Sequence, residues 1–559
     1  MTVYTNLSMK SKGDKMKNMI ICALAALPAF ATASLYNGAG PGSSTIGTGG
    51  DYTTLETAVT AINASPLTGG NWTFNILNNL TVTDKLVMGQ NLNGNTMTFK
   101  PATSVTATIT FAPTATFTGW GLHWAIGSND KNDATVVTKT DNVVIDGSNN
   151  GTSSRNLTIT NTNNAFASSL IGFVADSDNG VVKNCILTNV GPSANALQCI
   201  RYGTITQGPP TDKTPDGGLV DDCIITANPG NGFGVSADRN GGSGATSGVN
   251  NLIVRNNQIT APISGIRLID HRNATITGNT ITMAGTIVGT SVNGISSSSG
   301  SSSTAAFTVT IKNNIFSGVT ASLNSSAASL VAMNLTGEAA SGGAKSSFVI
   351  ENNMIGGIQL TASGSPSANY ATGILCGSGN ADFTIRHNSI NLMSAAGYTI
   401  ATPARLGALI ISNEGASNVY TVTNNLIRVA PTASYGISKG TAVGTFTSAN
   451  NNVFAAAGAN FGRYNGTDDA TLAAWKVTTS QDTASTVVDP LNPLPPTAGT
   501  WISNTNLRFS SAVVTDLGVA PVAGITTDVD GITRSLTQTY KGASETPGGF
   551  VAGIADWNK

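Results

Sequence analysis

The chain has 559 residues and a net charge of −1, and only 10% of its residues are charged, against about 25% in an average soluble protein. A nucleic-acid binder needs a basic excess and a coiled coil needs abundant Glu, Lys and Leu, so the composition excludes both classes. A hydrophobic content of 40% with almost no net charge also argues against intrinsic disorder. With 63 glycines among many Ser, Thr and Asn residues, the composition favours an all-β protein.

Residues 1–34 are predicted to be a signal peptide, with Met16 as an alternative start. An apolar run over 19–27 is followed by small residues alternating from Ala29 to Ala33, which is typical of a cleavage site. The run is shorter than the roughly 20 residues of a membrane span, and a buried N-terminal helix is the alternative. We therefore expect a secreted protein, extracellular or at the cell surface, without a membrane span.

Residues 35–140 are predicted to form an N-terminal cap and the first coils of a solenoid. Leu55, Ala58, Val59 and Ile62 follow one another at helical spacing, which indicates a short amphipathic helix. Such a helix can cover the open end of a stack of strands, where apolar side chains and free strand edges would otherwise meet water.

Residues 141–465 repeat one pattern nine times: a β-branched residue, a variable residue, a polar residue, Asn or Cys, a variable residue and an apolar one. The recurring position is occupied in turn by Cys185, Cys223, Asn257, Asn279, Asn314, Asn353, Asn388, Asn425 and Asn452. Each copy alternates apolar and polar residues on both sides of this position, which predicts two short strands that meet at a corner. A third short strand lies between copies, and Ser/Gly-rich stretches such as the one from Ser291 are predicted loops.

Three strands per repeat without a helix describe a coil, and stacked coils place equivalent positions about 4.8 Å apart. The corner asparagines can then hydrogen-bond from coil to coil in an Asn ladder, at about 1 kcal/mol for each bond. The predicted fold is all-β, a right-handed parallel β-helix solenoid with an N-terminal capping helix. Residues 466–559 are predicted to form a C-terminal cap, with a second short helix through Trp475, and a small β-rich segment.

Several segments together resemble secreted bacterial right-handed parallel β-helix proteins of the pectin-lyase-like superfamily, in its uncharacterised surface-protein branch. They are the helix region from Gly49, the Asn ladder, the segment around Trp475, and a tail with the pattern Asp-x-Asp-Gly-x-x-Arg followed by Gly-Ala-x-Glu. The resemblance runs from about Gly49 to Glu545. It implies the fold, but members include both polysaccharide-cleaving enzymes and adhesins or surface proteins, so it implies no single activity.

Charged residues are concentrated between Asp176 and Arg272, whereas residues 273–337 contain only Lys312. A local site is therefore expected in the charged region, with catalytic candidates Asp238, Asp270, His271 and Arg267 and substrate-binding candidates Asp176, Arg201, Arg239 and Arg272. Carboxylates one or two coils apart match the roughly 5 to 9.5 Å separations used by glycosidases, and a histidine can serve as acid or base.

Other interpretations of these residues stay open. Aspartate and arginine at strand ends are most often solvated ion pairs. The resemblance to pectate lyases allows Asp238, Asp270 and Arg267 to act with Ca²⁺, but the Gly-His-Gly and Arg-x-Lys motifs of pectin hydrolases are missing.

Isolated histidines argue against a metal site, and His387 is expected to be structural. The Asp528–Gly531 segment looks like half of a Ca²⁺ loop but lacks the distal Glu at the right distance, so a turn is the preferred interpretation. The aromatic candidates for stacking on sugars are Trp120, Trp124, Tyr202 and Tyr464.

The function predicted from the sequence is a secreted or cell-surface β-helix protein acting in adhesion, extracellular matrix or glycan binding, with no obligatory cofactor. Its expected partner is an extracellular polysaccharide or cell-surface glycan, not a nucleic acid. The alternatives are a polysaccharide lyase or glycoside hydrolase, and a self-assembling filament or sheath subunit.

Overall fold

The computed structural model describes most of the chain after the predicted signal peptide. The described residues are 35–113, 121–127, 138–162, 168–190, 197–203, 215–227, 232–238, 248–269, 271–287, 291–298, 306–323, 329–337, 345–360, 370–377, 379–393, 405–412, 414–491, 501–510, 517–537 and 539–545. The signal-peptide prediction lies outside them. No helix among them is long and apolar enough to cross a membrane.

Three long sheets, of 13, 12 and 13 strands, contain nearly all the described strands. Consecutive strands of the chain belong to the first, second and third sheet in turn, and each strand pairs in parallel with the strand of the next coil. The chain is therefore a parallel β-helix solenoid, and the predicted fold class is confirmed. The described residues form 12 complete coils, which we number from the N-terminus.

Each coil contributes one strand to the first, second and third sheet, in that order. The strands are, for coil 1, Trp72–Ile76, Leu80–Val82 and Leu86–Met88; coil 2, Met97–Pro101, Ala107–Phe111 and Gly121–Ile126; coil 3, Val143–Asp146, Leu157–Asn161 and Ser168–Phe173; coil 4, Val181–Lys183, Cys185–Thr188 and Leu197–Tyr202; coil 5, Leu219–Asp221, Ile224–Thr226 and Gly232–Asp238; coil 6, Leu252–Arg255, Gln258–Thr260 and Ser264–Ile269; coil 7, Ala274–Thr277, Thr280–Ile287 and Val292–Ser298; coil 8, Thr308–Lys312, Ile315–Leu323 and Leu330–Leu335; coil 9, Ser346–Glu351, Met354–Leu360 and Ala371–Cys376; coil 10, Ala381–Arg386, Ser389–Leu392 and Leu406–Ile411; coil 11, Val419–Thr423, Leu426–Val429 and Tyr435–Lys439; and coil 12, Thr445–Ala449, Asn452–Ala455 and Asn460–Tyr464.

Alternation along the strands builds one continuous core inside the coils. In the first strand of coil 10, Ala381, Phe383 and Ile385 are buried and the residues between them are half-buried, as the period of two requires. Equivalent rings stack from coil to coil, with Phe383 lying 4.9 Å from Phe348 and 5.6 Å from Tyr420 between ring centroids. Apolar burial of this kind is the main stabilising contribution to a solenoid.

The Asn ladder stands at the corner between the first and second strands of each coil. The side-chain amide of Asn314 donates to Asn353 Oδ1 (3.0 Å), and that of Asn353 donates to Asn388 Oδ1 (3.0 Å). At each step the same oxygen also accepts the backbone N–H of the preceding ladder residue. The ladder satisfies polar groups that a bend inside the core would otherwise leave without partners.

Two details of the sequence prediction are wrong. In coil 12 the ladder residue is Asn451, which accepts from the Asn425 amide, whereas Asn452 begins the next strand. The residue just before a ladder asparagine has a backbone φ near +57°, and in coil 12 that residue is Asn450. Because residues 450–452 are all asparagine, the sequence pattern was assigned one residue too late. The predicted loop from Ser291 is the second error, because its residues Val292–Ser298 form the third strand of coil 7.

A helix covers each end of the solenoid. The predicted N-terminal helix is Leu55–Ala64, with all four predicted apolar residues buried; it follows an additional strand of the first sheet, Gly42–Ile46. The second helix, Leu472–Thr479, buries Trp475, whose indole N–H donates to Asp482. Just before it, Thr467–Asp469 pairs antiparallel with the last strand of the third sheet.

The C-terminal segment, 501–545, turns back along the second sheet instead of extending the solenoid. Trp501, Leu507 and Phe509 form an apolar cluster with Met354 and Leu426 on the outer side of this sheet. Within the described part of the C-terminal segment, Gly518–Val519 and Thr539–Tyr540 form a small two-stranded antiparallel sheet.

Three consecutive corners anchor this segment. Asn352 Nδ2 donates to the Thr527 carbonyl, His387 Nδ1 lies 3.1 Å from the Tyr540 carbonyl oxygen, and the Gly542 N–H donates to the Asn424 carbonyl.

Candidate functional site

Two columns of mostly polar side chains follow the strands of the third sheet in coils 4 to 8, and we call them the third-sheet face. Of these ten side chains, Arg267, Ser296 and Asn334 are half-buried and the other seven are buried. Strand pairing places them in register. The first column is Gln198, Phe233, Ser264, Asn293 and Val331, and the second is Arg201, Ser236, Arg267, Ser296 and Asn334. Two of the predicted site residues, Arg201 and Arg267, belong to the second column.

An aromatic ring and a guanidinium stack at the centre of this face. The Arg267 guanidinium carbon lies 4.8 Å from the centroid of the Phe233 ring, which is a cation–π contact. Beside them, Ser264 and Ser296 are within 3.3 Å through their hydroxyl oxygens. The Asn293 side chain is 9% exposed, and its Oδ1 has no hydrogen-bond partner in the described part of the chain. A buried amide oxygen without a partner is uncommon in a folded protein.

The corner between the third and first sheets carries a column of carboxylates, Asp141, Asp178 and Asp216, which we call the acidic corner. The Asp178 N–H donates to Asp141 Oδ1 (3.0 Å), and the Asp216 N–H donates to Asp178 Oδ1 (2.8 Å). The loss of hydration on burial and the nearby charge of Asp178 raise the pKa of Asp216, whereas hydrogen bonds from Asn250 lower it by a smaller amount. Each carboxylate thus has a structural task, and their spacing follows the coil rise of about 4.8 Å.

Sequence reasoning missed this acidic corner. Its members precede the first strand of coils 3, 4 and 5 by two or three residues, in the stretches beginning Asp141-Asn142, Asp178-Asn179 and Asp216-Gly217. The column continues as asparagine, with the Asn250 N–H donating to Asp216 Oδ1. Aligning the repeats two or three residues before each first strand would have revealed the column.

Two predicted binding residues lie at the same corner. Asp176 is half-buried with φ +61° in the turn that leads into coil 4. The pKa of Lys139 is raised mainly by the hydrogen bond that it donates to Asp141, and the charge of Asp176 adds to this effect. Arg272 is half-buried before coil 7, and its backbone N–H donates to the Val249 carbonyl.

His271 points into the core. The side chain is 1% exposed, its ring centroid is 4.8 Å from that of Phe307, and its Nε2 is 3.3 Å from Ser297 Oγ. Burial lowers the pKa of His271 to about 3, because it disfavours the charged ring. A neutral, enclosed ring gives no support to the predicted acid–base role.

The remaining catalytic candidates fall largely outside the described residues. Asp238 ends the third strand of coil 5, where it pairs with Ile269, but its side chain is not among the described groups. Asp270 and Arg239 lie outside the described residues. Asp176 is not in register with Asp238, because the third strand of coil 3 ends at Phe173 and Asp176 lies in the turn beyond it.

Three charged residues of this region, Lys183, Asp221 and Arg255, belong to a separate structural column on the first sheet. In register along it stand Asp146, Lys183, Asp221, Arg255, Thr277, Lys312, Glu351 and Arg386. Neighbours pair across coils, with Lys183 Nζ 3.2 Å from Asp146 and Arg255 Nη2 2.7 Å from Asp221. Asp146, Lys183, Asp221 and Arg255 therefore form ion pairs between coils, and none of them is among the predicted site residues.

The weaker signals are structural where the structure describes them. Trp124 and Tyr202 are fully buried and Tyr464 packs against Trp475; Trp120 lies outside the described residues. Asp528 accepts three backbone N–H groups, from Asp530, Ile532 and Glu545, within a turn.

No group of three His, Cys, Asp or Glu residues suited to a metal ion occurs in the described ranges. His387 is buried at a coil corner, where its Nε2 is 3.0 Å from the Asn424 amide.

Comparisons with known proteins give likenesses of fold only. No family model matches the chain, and no curated protein matches it. PfbA, a surface adhesin of Streptococcus pneumoniae, is similar with a TM-score of 0.39 and 13% identity, covering 74% of this chain and 89% of PfbA. A double mutant of the tailspike protein of E. coli bacteriophage HK620 is similar with a TM-score of 0.32 and 10% identity, covering 74% of each chain.

Proposed function

We propose that this protein is a secreted or cell-surface rod that binds a polysaccharide along its third-sheet face, in adhesion or in an extracellular matrix. The observation that carries the proposal is the stacked pair of Phe233 and the half-buried Arg267 on this face. A sugar ring combines an apolar face with a rim of hydroxyl groups. It is therefore suited to a site that combines a planar group with fixed donors and acceptors.

The rigidity of the solenoid supports this proposal. Residues of the face sit on paired strands rather than on isolated loops, so they lose little conformational freedom when a ligand binds. A linear glycan running parallel to the axis meets equivalent positions in successive coils. We expect binding to increase with chain length until coils 4 to 8 are spanned.

A glycan panel with matched arginine variants tests this proposal. Arg267→Ala removes the stacked guanidinium, whereas Arg255→Ala removes an arginine of the ion-pair column on the first sheet. We expect R267A to weaken binding at least tenfold and R255A to leave it unchanged. Equal binding by R267A and the parent protein would refute the assignment of the face, as would equal losses in both variants.

An enzyme is the second candidate, because Asp178 and Asp216 are in adjacent coils and the pKa of Asp216 is raised. Two carboxyl groups one coil apart approach the roughly 5 Å separation of retaining glycosidases. If this candidate is correct, incubation with the bound glycan releases new reducing ends, and Asp216→Asn abolishes that release while binding persists. Intact glycan after prolonged incubation would exclude it for that substrate.

A further inference from the structure

The outer side of the second sheet carries a column of threonines through coils 1 to 7, ending on a serine in coil 8. Strand pairing puts its members in direct register. The column is Thr81, Thr110, Thr160, Thr188, Thr226, Thr260, Thr282 and Ser317. A parallel column two residues earlier holds Thr108, Thr158, Ile186, Ile224, Gln258, Thr280 and Ile315 in coils 2 to 8, and we call the two columns together the threonine face.

This face is open to water and has no charge. Thr226 and Thr260 are exposed and Thr188 is half-buried, and their hydroxyl groups make no hydrogen bond to another described protein group. The residue between the two columns always points inward and is buried, as with Leu187 and Ile225. On the first sheet, by contrast, the corresponding coils carry the charged column, so a neutral face is not a general property of this solenoid.

The threonines end where the C-terminal segment begins to cover the second sheet. In coil 9 the position after Ser317 is Gly356, where an added β-carbon would lie 2.2 Å from the Thr505 carbonyl oxygen. The neighbouring column there contains Met354, which packs with Trp501 in the outer apolar cluster. Threonine is therefore confined to the uncovered part of the sheet.

The geometry gives one continuous row of hydroxyl groups along the first column, whereas the second column carries a hydroxyl only at Thr108, Thr158 and Thr280. Coils repeat about every 4.8 Å, and residues i and i+2 of a strand are about 6.6 Å apart. The coil repeat is close to one of the spacings of water oxygens on the prism faces of hexagonal ice. Because threonine is branched at its β-carbon, few side-chain rotamers are open to it, so its hydroxyl group loses little freedom when a water layer orders on the face.

We infer that the threonine face binds ice, by holding a layer of water in an ice-like arrangement. Each hydroxyl offers one donor and two acceptor positions to that layer, and a bridging water is nearly as favourable as a direct hydrogen bond. Both columns lack aromatic rings, which a crystalline polysaccharide would engage by stacking. A water lattice therefore fits the face better than a glycan fibre. This site is separate from the third-sheet face.

Partition of the purified full-length protein into growing polycrystalline ice tests the inference, together with thermal hysteresis. We expect the parent protein to be enriched in the ice fraction. The variant Thr188→Lys with Thr226→Lys should lose that enrichment, because two adjacent coils then carry long charged side chains. The matched control is Thr275→Lys with Thr310→Lys, on paired, half-buried outer positions of the first sheet, and it should retain enrichment.

Urea unfolding of all three proteins shows whether the substitutions leave the solenoid intact. If T188K/T226K is destabilised, Thr188→Val with Thr226→Val replaces it, because this change removes only the hydroxyl groups and is expected to reduce enrichment. Absence of the parent protein from the ice fraction would overturn the inference. So would unchanged enrichment of a folded variant, or threonine-dependent binding to microcrystalline cellulose or chitin without enrichment in ice.

Discussion

Replacing Asn353 by alanine removes one complete step of the Asn ladder. Its amide donates to the Ile311 carbonyl (2.9 Å) and to Asn388 Oδ1 (3.0 Å), and its Oδ1 accepts from both the backbone and the side-chain nitrogen of Asn314. The variant leaves the Asn314 N–H without this acceptor and the Ile311 carbonyl without this donor, at positions that are fully buried. Each unsatisfied group costs about 1–3 kcal/mol, so we expect a loss of about 2–6 kcal/mol.

Urea unfolding followed by circular dichroism measures this loss as a lower transition midpoint. The matched control is Asn75→Ala, the same chemical change at a half-buried outer position of the first strand of coil 1. A surface change of this kind is expected to alter stability by less than about 0.5 kcal/mol. If N353A loses less than about 1 kcal/mol, or no more than N75A, the ladder does not stabilise the corner as argued here.

Three further changes probe buried charge in other regions. Arg534→Ala leaves the Glu545 carboxylate buried without its ion pair, so we expect the free energy of unfolding to fall by about 3–5 kcal/mol and the C-terminal segment to be cleaved faster by proteases. Adding Glu545→Ala should restore part of this stability. Equal cleavage of the parent protein and both variants would contradict the prediction. The pKa of His271 is about 3 in the folded protein, against an ordinary value of 6.5. Between these two pH values only the unfolded chain binds a proton at this residue, so the free energy of unfolding should fall by about 1.4 kcal/mol per pH unit as the pH falls from 6.5 to 4.5. His271→Phe should show a shallower pH dependence in urea unfolding, and an unchanged slope would be evidence against a neutral buried ring. Glu414→Ala leaves the Lys439 ammonium fully buried without its carboxylate partner, so we expect the midpoint of thermal unfolding of this variant to fall by several degrees. The midpoint should fall less in the double variant that also carries Lys439→Met. An unchanged midpoint in Glu414→Ala would mean that this pair does not stabilise coil 11.

Much of the architecture was readable from the chain because the repeat is local. Alternation over five or six residues predicts each strand, and helical spacing from Leu55 to Ile62 predicts the first helix, which the structure confirms. The same reasoning failed where one residue type occupied several positions. Three consecutive asparagines hid the identity of Asn451, and the serines after Ser291 concealed the strand that begins at Val292.

The candidate site was less accessible from the sequence, since proximity in a solenoid depends on register. Ladder neighbours are between 22 and 39 residues apart in the chain, so loop lengths hide which side chains share a column. Charge density directed attention to the region from Asp176 to Arg272, but Lys183, Asp221 and Arg255 of this region belong to the ion-pair column on the first sheet. Direction also matters, because His271 points into the core while Arg267 lies on the outer face.

The sequence by itself determined the coil, its corners and its caps, because each depends on contacts within a few residues or on identical residues stacking in successive coils. Only the tertiary structure decided what each outer face presents: carboxylates at one corner, an arginine over a phenyl ring on the third sheet, and a neutral threonine face on the second. It also decided where the C-terminal segment lies. The physical reason is that a column is defined by hydrogen-bonded register between strands far apart in the chain, and no local pattern encodes that register.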